Sequence, residues 1–303
     1  MLLHITHSSK VNCTLDKVNC TLCVRKHTIL GPGPILFLLY TADLLQLVKR
    51  HQLIPHAYVD DTQIYGFFRP ADFADLCDKV SVCVDEVSAW MASNRLQLNH
   101  AKTEVLWCAS SRRHQIPSGP VCIGTTYVQP VSSTRDLGVY IDADMSMRTQ
   151  VTAVVRACFA ALRQIRSVRR SMSRHALLTL VRALIVSKVD YCNSVLAGIY
   201  GQLQDRLQSV LNAAARLVFS ARQPERITSL LRELHWLRVP ERVTFRLCIL
   251  AYRCLHGTAP SYLAESLHRT SDVDTRRRLR SVDSAMLVVQ STRRSLSQRI
   301  ITK

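Results

Sequence analysis

The sequence predicts an α+β protein: helices packed on an antiparallel sheet in the first half, then a region that is mainly α-helical. Three observations lead there. Short apolar, β-prone pieces bounded by turn residues recur up to Ile141. One long segment, Phe73 to Met91, carries apolar residues at helical spacing. Beyond Met145, helical patterns follow one another without strand-like pieces between them.

Residues 1–28 include "VNCTLDKVNCTLCV", which nearly repeats at a seven-residue step. The stretch shows neither a helical stripe nor a long alternation, so it is expected to be a disordered leader. Gly31-Pro32-Gly33 then interrupts any helix, Pro34 suits a first helical position, and a buried helix is expected to about Arg50. "HAYVDDTQIY" (His56–Tyr65) sets two carboxylates between apolar, β-prone flanks. After Pro70 a helix is expected to about Asn94, with Phe73, Leu76, Cys77, Val80, Val84, Val87 and Met91 on one stripe. Strand-like pieces follow at Thr103–Cys108, Val121–Ile123, Tyr127–Val131 and Leu137–Ile141. Residues 29–144 therefore form the α+β domain. Residues 145–268 form a helical region, with patterns at about 147–170, 173–199, 203–221 and 240–256. The last 35 residues, 269–303, carry nine basic and three acidic residues and are expected to be a basic flexible tail.

Composition narrows the partners. At 48% hydrophobic the chain can bury a core, so wholesale disorder is not expected. A net charge of +18 points to a polyanion, nucleic acid before acidic membrane. No apolar run approaches a membrane span, since Asp43 interrupts Ile35–Leu47. Eleven scattered cysteines do not suggest a disulfide framework, and the C-x-x-C at Cys20 and Cys23 lacks a second ligand pair at finger-like spacing. Reduced cysteines in an intracellular protein are the expectation, with nucleus and cytoplasm both open. Met145 to Asp190 holds nine basic residues and one acidic, and Arg163, Arg166 and Arg170 fall at helical spacing. Such a row reads equally as a solvated face or as a phosphate-binding one.

Two readings fit Asp60 and Asp61. Asp is a good turn residue, so the pair can be a plain hairpin turn. Alternatively the hairpin tip aims adjacent carboxylates at one point, where hard oxygens suit Mg²⁺, and Tyr58 offers an aromatic surface for a primer end.

"YVDDTQIY" resembles the Tyr-x-Asp-Asp motif of reverse transcriptases of retrotransposons without long terminal repeats, the LINE type. Further stretches are similar to that family in the same order: "GPILFLLYTADL" (Gly33–Leu44), "LQLNHAKTEVLW" (Leu96–Trp107) and "RDLGVYID" (Arg135–Asp142). Downstream, "VDYCNSVLAG" (Val189–Gly198), "LQSVLNAAARLV" (Leu207–Val218), "LRELHWLRVPERVTFRL" (Leu231–Leu247) and "LHGTAPSYL" (Leu255–Leu263) resemble its post-palm region. The resemblance covers about residues 29–266. It implies a partial polymerase palm followed by a thumb-like and connecting region, and RNA-directed DNA synthesis on an RNA template and a DNA primer with Mg²⁺. It also implies that Asp60 and Asp61 hold the metals, that Lys102 stands near the triphosphate, and that Gly138 belongs to the turn gripping the primer. Lys102 as a plain exposed lysine and Gly138 as a strand bend are equally open on the residues alone.

The family pattern also demands an upstream carboxylate on a palm strand. Before Asp60 the chain has only Asp16 and Asp43, neither in a strand-like context, and no fingers region. The match starts partway through a motif, as a truncation or altered reading frame produces. The expectation is therefore a chain that is silent as a polymerase on its own and has exposed sheet edges. The alternative is a co-opted, non-catalytic RNA- or DNA-binding module.

Overall fold

The structure is a computed structural model describing residues 2–8, 36, 39–58, 61–67, 72–96, 98, 102–108, 119–123, 126–221, 225–265 and 267. The chain divides into two compact units, Met1–Met145 and Ser146–Lys303.

The first unit is built on a four-stranded antiparallel sheet. Its strands are β1 (Leu2–Ser8), β2 (Ile54–Tyr58), β3 (Asp61–Phe67) and β4 (Glu104–Cys108), in the order β2-β3-β1-β4. Alternate residues of a strand point to opposite faces. On β3 the positions Thr62, Ile64 and Gly66 are buried on the face that carries the helices. There α1 (Ala42–Arg50) buries Leu44, Leu47 and Val48, while α2 (Phe73–Ser93) buries Leu76, Val80, Cys83, Val84, Val87 and Met91. The α2 stripe is the one expected from spacing. Val105 and Trp107 of β4 complete this core, with the Trp107 ring edge-on to Phe73 at 5.1 Å between centroids. Sheet and helix approach closely at Gly66, where an added Cβ would lie 2.7 Å from Leu76 Cδ1. Two small hairpins follow, β5–β6 (Val121–Ile123, Thr126–Val128) and β7–β8 (Ser133–Asp136, Val139–Asp142).

Three expectations change in this unit. Within the supposedly disordered leader, Leu2–Ser8 forms a strand that pairs with β3 on one side and β4 on the other. Its partners lie more than 50 residues away, so no local pattern signals it, and it fills the place between β3 and β4, leaving β2 and β4 as the edges. The helix ending at Arg50 is amphipathic rather than buried, because Leu36 and Leu39 before it are 60% and 68% exposed. Leu137–Ile141 is not one strand. Leu137 and Gly138 both take positive φ, 44° and 88°, and make the two-residue turn between Asp136 and Val139.

The second unit is helical. α3 (Arg148–Val168) packs on α6 (Gly201–Phe219), burying Cys158, Leu162 and Ile165 on one side and Leu207, Val210, Leu211 and Ala214 on the other. The helix expected over 173–199 is subdivided into α4 (Arg174–Val181), a π-helical turn (Arg182–Val186), α5 (Ser187–Asp190) and a 3-10 turn (Asn193–Leu196). Cys192, at φ 50°, ends the helical path. α7 (Ile227–Glu233), α8 (Val239–Leu255) and α9 (Ser261–Ala264) complete the unit. The Asp190 carboxylate accepts two hydrogen bonds from Arg242 Nη1 of α8, at 3.0 and 2.7 Å. Arg174 lies 4.3 Å from the Phe219 ring centroid and donates to Glu233 at 2.7 Å. The basic tail, 269–303, lies outside the described residues.

Buried thiols serve the cores. Burial pushes the Cys83 thiol up to about 12, and those of Cys108 and Cys158 up to about 11, so each stays protonated and unreactive near neutral pH.

Removing residues 1–8 leaves β3 and β4 each with an unpaired inner edge. The shortened chain is expected to elute as aggregates from a sizing column where the full chain elutes as a discrete species; equal elution of the two would show that β1 is dispensable.

Candidate functional site

The paired aspartates stand at one end of the four-stranded sheet. Tyr58 of β2 pairs with Asp61 of β3, so only residues 59 and 60 separate the two strands. Asp60 lies outside the described residues. Asp61 is half-buried as the first residue of β3, with Tyr58 on one side of it in the ladder and Ser8 of β1 on the other. Tyr58 itself is 57% exposed. Lys102 is exposed two residues before β4. β3 and β4 both run antiparallel to β1, so Lys102, two residues before β4, lies towards the same end of the sheet as Asp61.

The face of β3 that carries Asp61 also carries Gln63 and Tyr65, and a polar layer forms there. The Tyr65 hydroxyl donates to Gln63 Oε1, and Gln63 Nε2 donates to Asp136 Oδ1. Beside them the Thr134 hydroxyl donates to Glu104 Oε2, joining β7 to β4. The β7–β8 hairpin is thus fastened onto this face of the sheet, and Val131 N–H donates to the Val105 carbonyl at 2.8 Å. Asp136 is the last residue before the Leu137-Gly138 turn, so one side-chain link sets the Gly138 turn beside the strand of Asp61. Gln63 is only 2% exposed, and the pairing answers the cost of burying its amide. Burial, with the nearby Asp136 carboxylate next and Cys108 after it, pushes the Tyr65 phenol up to about 12.

Asp61, Lys102 and Gly138 are therefore gathered around one end of the first unit. Gln63, Tyr65, Asp136, Glu104 and Thr134 were missed by the sequence reading. The signal for Gln63 and Tyr65 was present: they follow Asp61 at steps of two on a strand, and so share its face. Nothing local announces Asp136 as their partner. Among the described residues no group of three or more His, Cys, Asp or Glu is placed to hold a metal ion. A metal at this end would therefore depend on the hard oxygens of the two adjacent aspartates, with water and phosphate oxygens filling the shell.

Arg163 and Arg166 are exposed on α3, and Arg170 is exposed in the 3-10 turn Arg169–Ser171 that follows it. All three belong to the second unit. No described helix is long and apolar enough to cross a membrane. Comparison with protein-family models, with curated proteins and with solved structures finds no match to this chain.

The Tyr65 phenol stays neutral in the folded state to about pH 12, whereas in the unfolded chain it ionises near 10. The folded state then holds a proton that the unfolded state has lost, so this group's share of stability falls as pH rises from about 10 to about 12. Tyr65→Phe is expected to flatten that part of the stability–pH curve, measured by urea unfolding, and to remove the latest component of the tyrosine absorbance titration. An unchanged titration would show that Tyr65 is not shielded.

Proposed function

We propose that the first unit is a reverse-transcriptase-like palm of the LINE type, with Asp60 and Asp61 as its metal ligands. On this reading the second unit is the thumb-like and connecting region. The observation that carries the reading is the two-residue connection between Tyr58 and Asp61, in a sheet whose next strand pairs along the other side of Asp61. A plain surface hairpin needs no third strand there. The Gly138 turn, fastened through Asp136 and Gln63 to the same face, adds support because it stems from "RDLGVYID", a separate stretch of the resemblance.

In this reading RNA template and DNA primer are the partners. Asp60 and Asp61 present carboxylate oxygens to Mg²⁺, which when bound supplies positive charge at phosphoryl oxygens. Tyr58 offers an exposed ring beside them, and Lys102 a cation at the same end of the sheet. The strand that pairs with Asp61 on its far side reads "LLHITHS" and carries no carboxylate. Positioning dominates catalysis of phosphoryl-type transfer, so a site short of one ligand arm loses most of its rate. The chain alone is accordingly a scaffold with a metal-binding hairpin and no polymerase turnover.

Two measurements test this. Mn²⁺ added to isotope-labelled protein is expected to broaden the amide signals of Tyr58 and Asp61 in the wild type and to spare them in D60N/D61N; broadening centred elsewhere would end the palm reading. Primer extension on an RNA template with Mg²⁺ is expected to stay at the no-protein blank for both chains. Extension that Asp60→Asn abolishes would instead make the chain an active polymerase.

A further inference from the structure

α8 has the composition of a core helix and the exposure of a surface one. From Val243 to Leu255 only Thr244, Arg246 and Arg253 interrupt a run of apolar residues. A helix that is apolar all round is normally buried. Yet only Val239 and Val243 of α8 are buried. Phe245 and Tyr252 are 58% and 62% exposed, Cys248 is exposed between them, and Ile249 is half-buried.

At 3.6 residues per turn these last four residues fall within about 100° of one another, on the side about 150° from Val239 and Val243. Their offsets of three, four and seven residues are those of a seam between paired helices. The same stripe carries the exposed Glu241 in its first turn and the exposed His256 just past its last. His256 N–H still bonds to the Tyr252 carbonyl at 3.0 Å. Its ring lies against the Tyr252 ring, 4.0 Å between centroids, so the two share one face. The flanking cations are partly engaged within the unit. Arg242 is held by Asp190, and Arg253 turns back to the Thr258 carbonyl at 3.4 Å, which leaves Arg246 at the side of the stripe.

An acid at one end, an apolar middle and an imidazole at the other make this stripe self-complementary. Two copies laid antiparallel, with the twofold axis level with Cys248 and Ile249, set Phe245 on Tyr252 of the partner subunit. The same register brings Glu241 to His256 of the partner subunit, and it opposes the two helix dipoles. Parallel pairing would instead set acid on acid. A lipid surface or a phosphate backbone would meet the Glu241 carboxylate in the middle of its contact. We propose that the outward face of α8 docks on the same face of a second copy of this chain, as an antiparallel, twofold-symmetric pair. The pairing is independent of the palm reading. The two rings offer about 200–300 Å² of exposed apolar surface. That falls short of the roughly 800 Å² per partner of a standard interface, so the dimer belongs to the weak, transient class.

The test is sedimentation equilibrium of the nuclease-treated full chain at about 0.5 M salt, where exposed charges are screened and bound polyanion does not bridge copies. The mean mass is expected to rise from one chain towards two between about 1 and 300 µM, with a Kd of about 10–100 µM. F245A/Y252A is expected to stay monomeric over that range with an unchanged circular dichroism spectrum, since both side chains are exposed. At about 0.05 M salt, His256→Arg is expected to tighten the pair about two- to fivefold and His256→Glu to weaken it. Tyr127→Ala, which removes an exposed ring of the first unit, is expected to change nothing. A wild-type chain that stays monomeric, association that survives F245A/Y252A, weakening by His256→Arg, or dissociation by Tyr127→Ala would each overturn the proposal.

Discussion

A β-strand shows alternate residues to opposite sides, and in β3 that constraint divides the first unit into two chemistries. Thr62, Ile64 and Gly66 turn towards the helices, and the core is assembled on them. Asp61, Gln63 and Tyr65 turn the other way, where polar groups pair beside the buried Leu106 and Cys108 of β4. A register slip of one residue would exchange the two sets, sending a carboxylate and an amide under α2 and three residues of the core into the polar layer. β3 is held against such a slip from both sides, by β2 through Tyr58 and by β1 through Ser8.

The polar layer carries a second consequence. A short hairpin such as β7–β8 has little apolar surface with which to dock. Here docking comes from two side-chain hydrogen bonds, Gln63 to Asp136 and Thr134 to Glu104, and from the backbone link at Val131. Each acceptor and donor is at least partly buried, so breaking one link leaves a desolvated group behind, which is more costly than never having made it. Precision at this end of the sheet therefore rests on a few directional contacts, while the helix-covered face rests on distributed packing.

That difference decides what was legible in the sequence. The α2 stripe could be read because its periodicity is local, and Leu76 to Met91 carry it whatever else the chain does. The Asp-Asp hairpin could be read for the same reason, two β-prone flanks around a turn. β1 could not, since its seven residues gain strand character from partners at 61–67 and 104–108. Leu137 could not either: leucine at positive φ is uncommon, and the Gly138 beside it suggested a bend rather than a complete reversal. The helical path over 173–199 was seen as one piece because neither the π turn nor Cys192 at φ 50° has a breaker residue to announce it. Of the polar groups at that end of the sheet, Gln63, Tyr65 and Asp136 were not read from the sequence, because they are ordinary residues made important by long-range pairing.

Charge follows a different logic from packing, because it acts at a distance and does not need a register. The first unit spends equal numbers of acids and bases and can place a carboxylate pair at a sheet end without a strong surrounding field. In the second unit Asp190 pairs with Arg242 and Glu233 with Arg174, while no carboxylate lies on α3 itself. Those pairs hold α8 to α5 and α7 to α4. A substitution at Asp190 or Glu233 would thus act twice, loosening a helix junction and releasing a guanidinium, whereas one at Arg163 changes only the field that the unit presents.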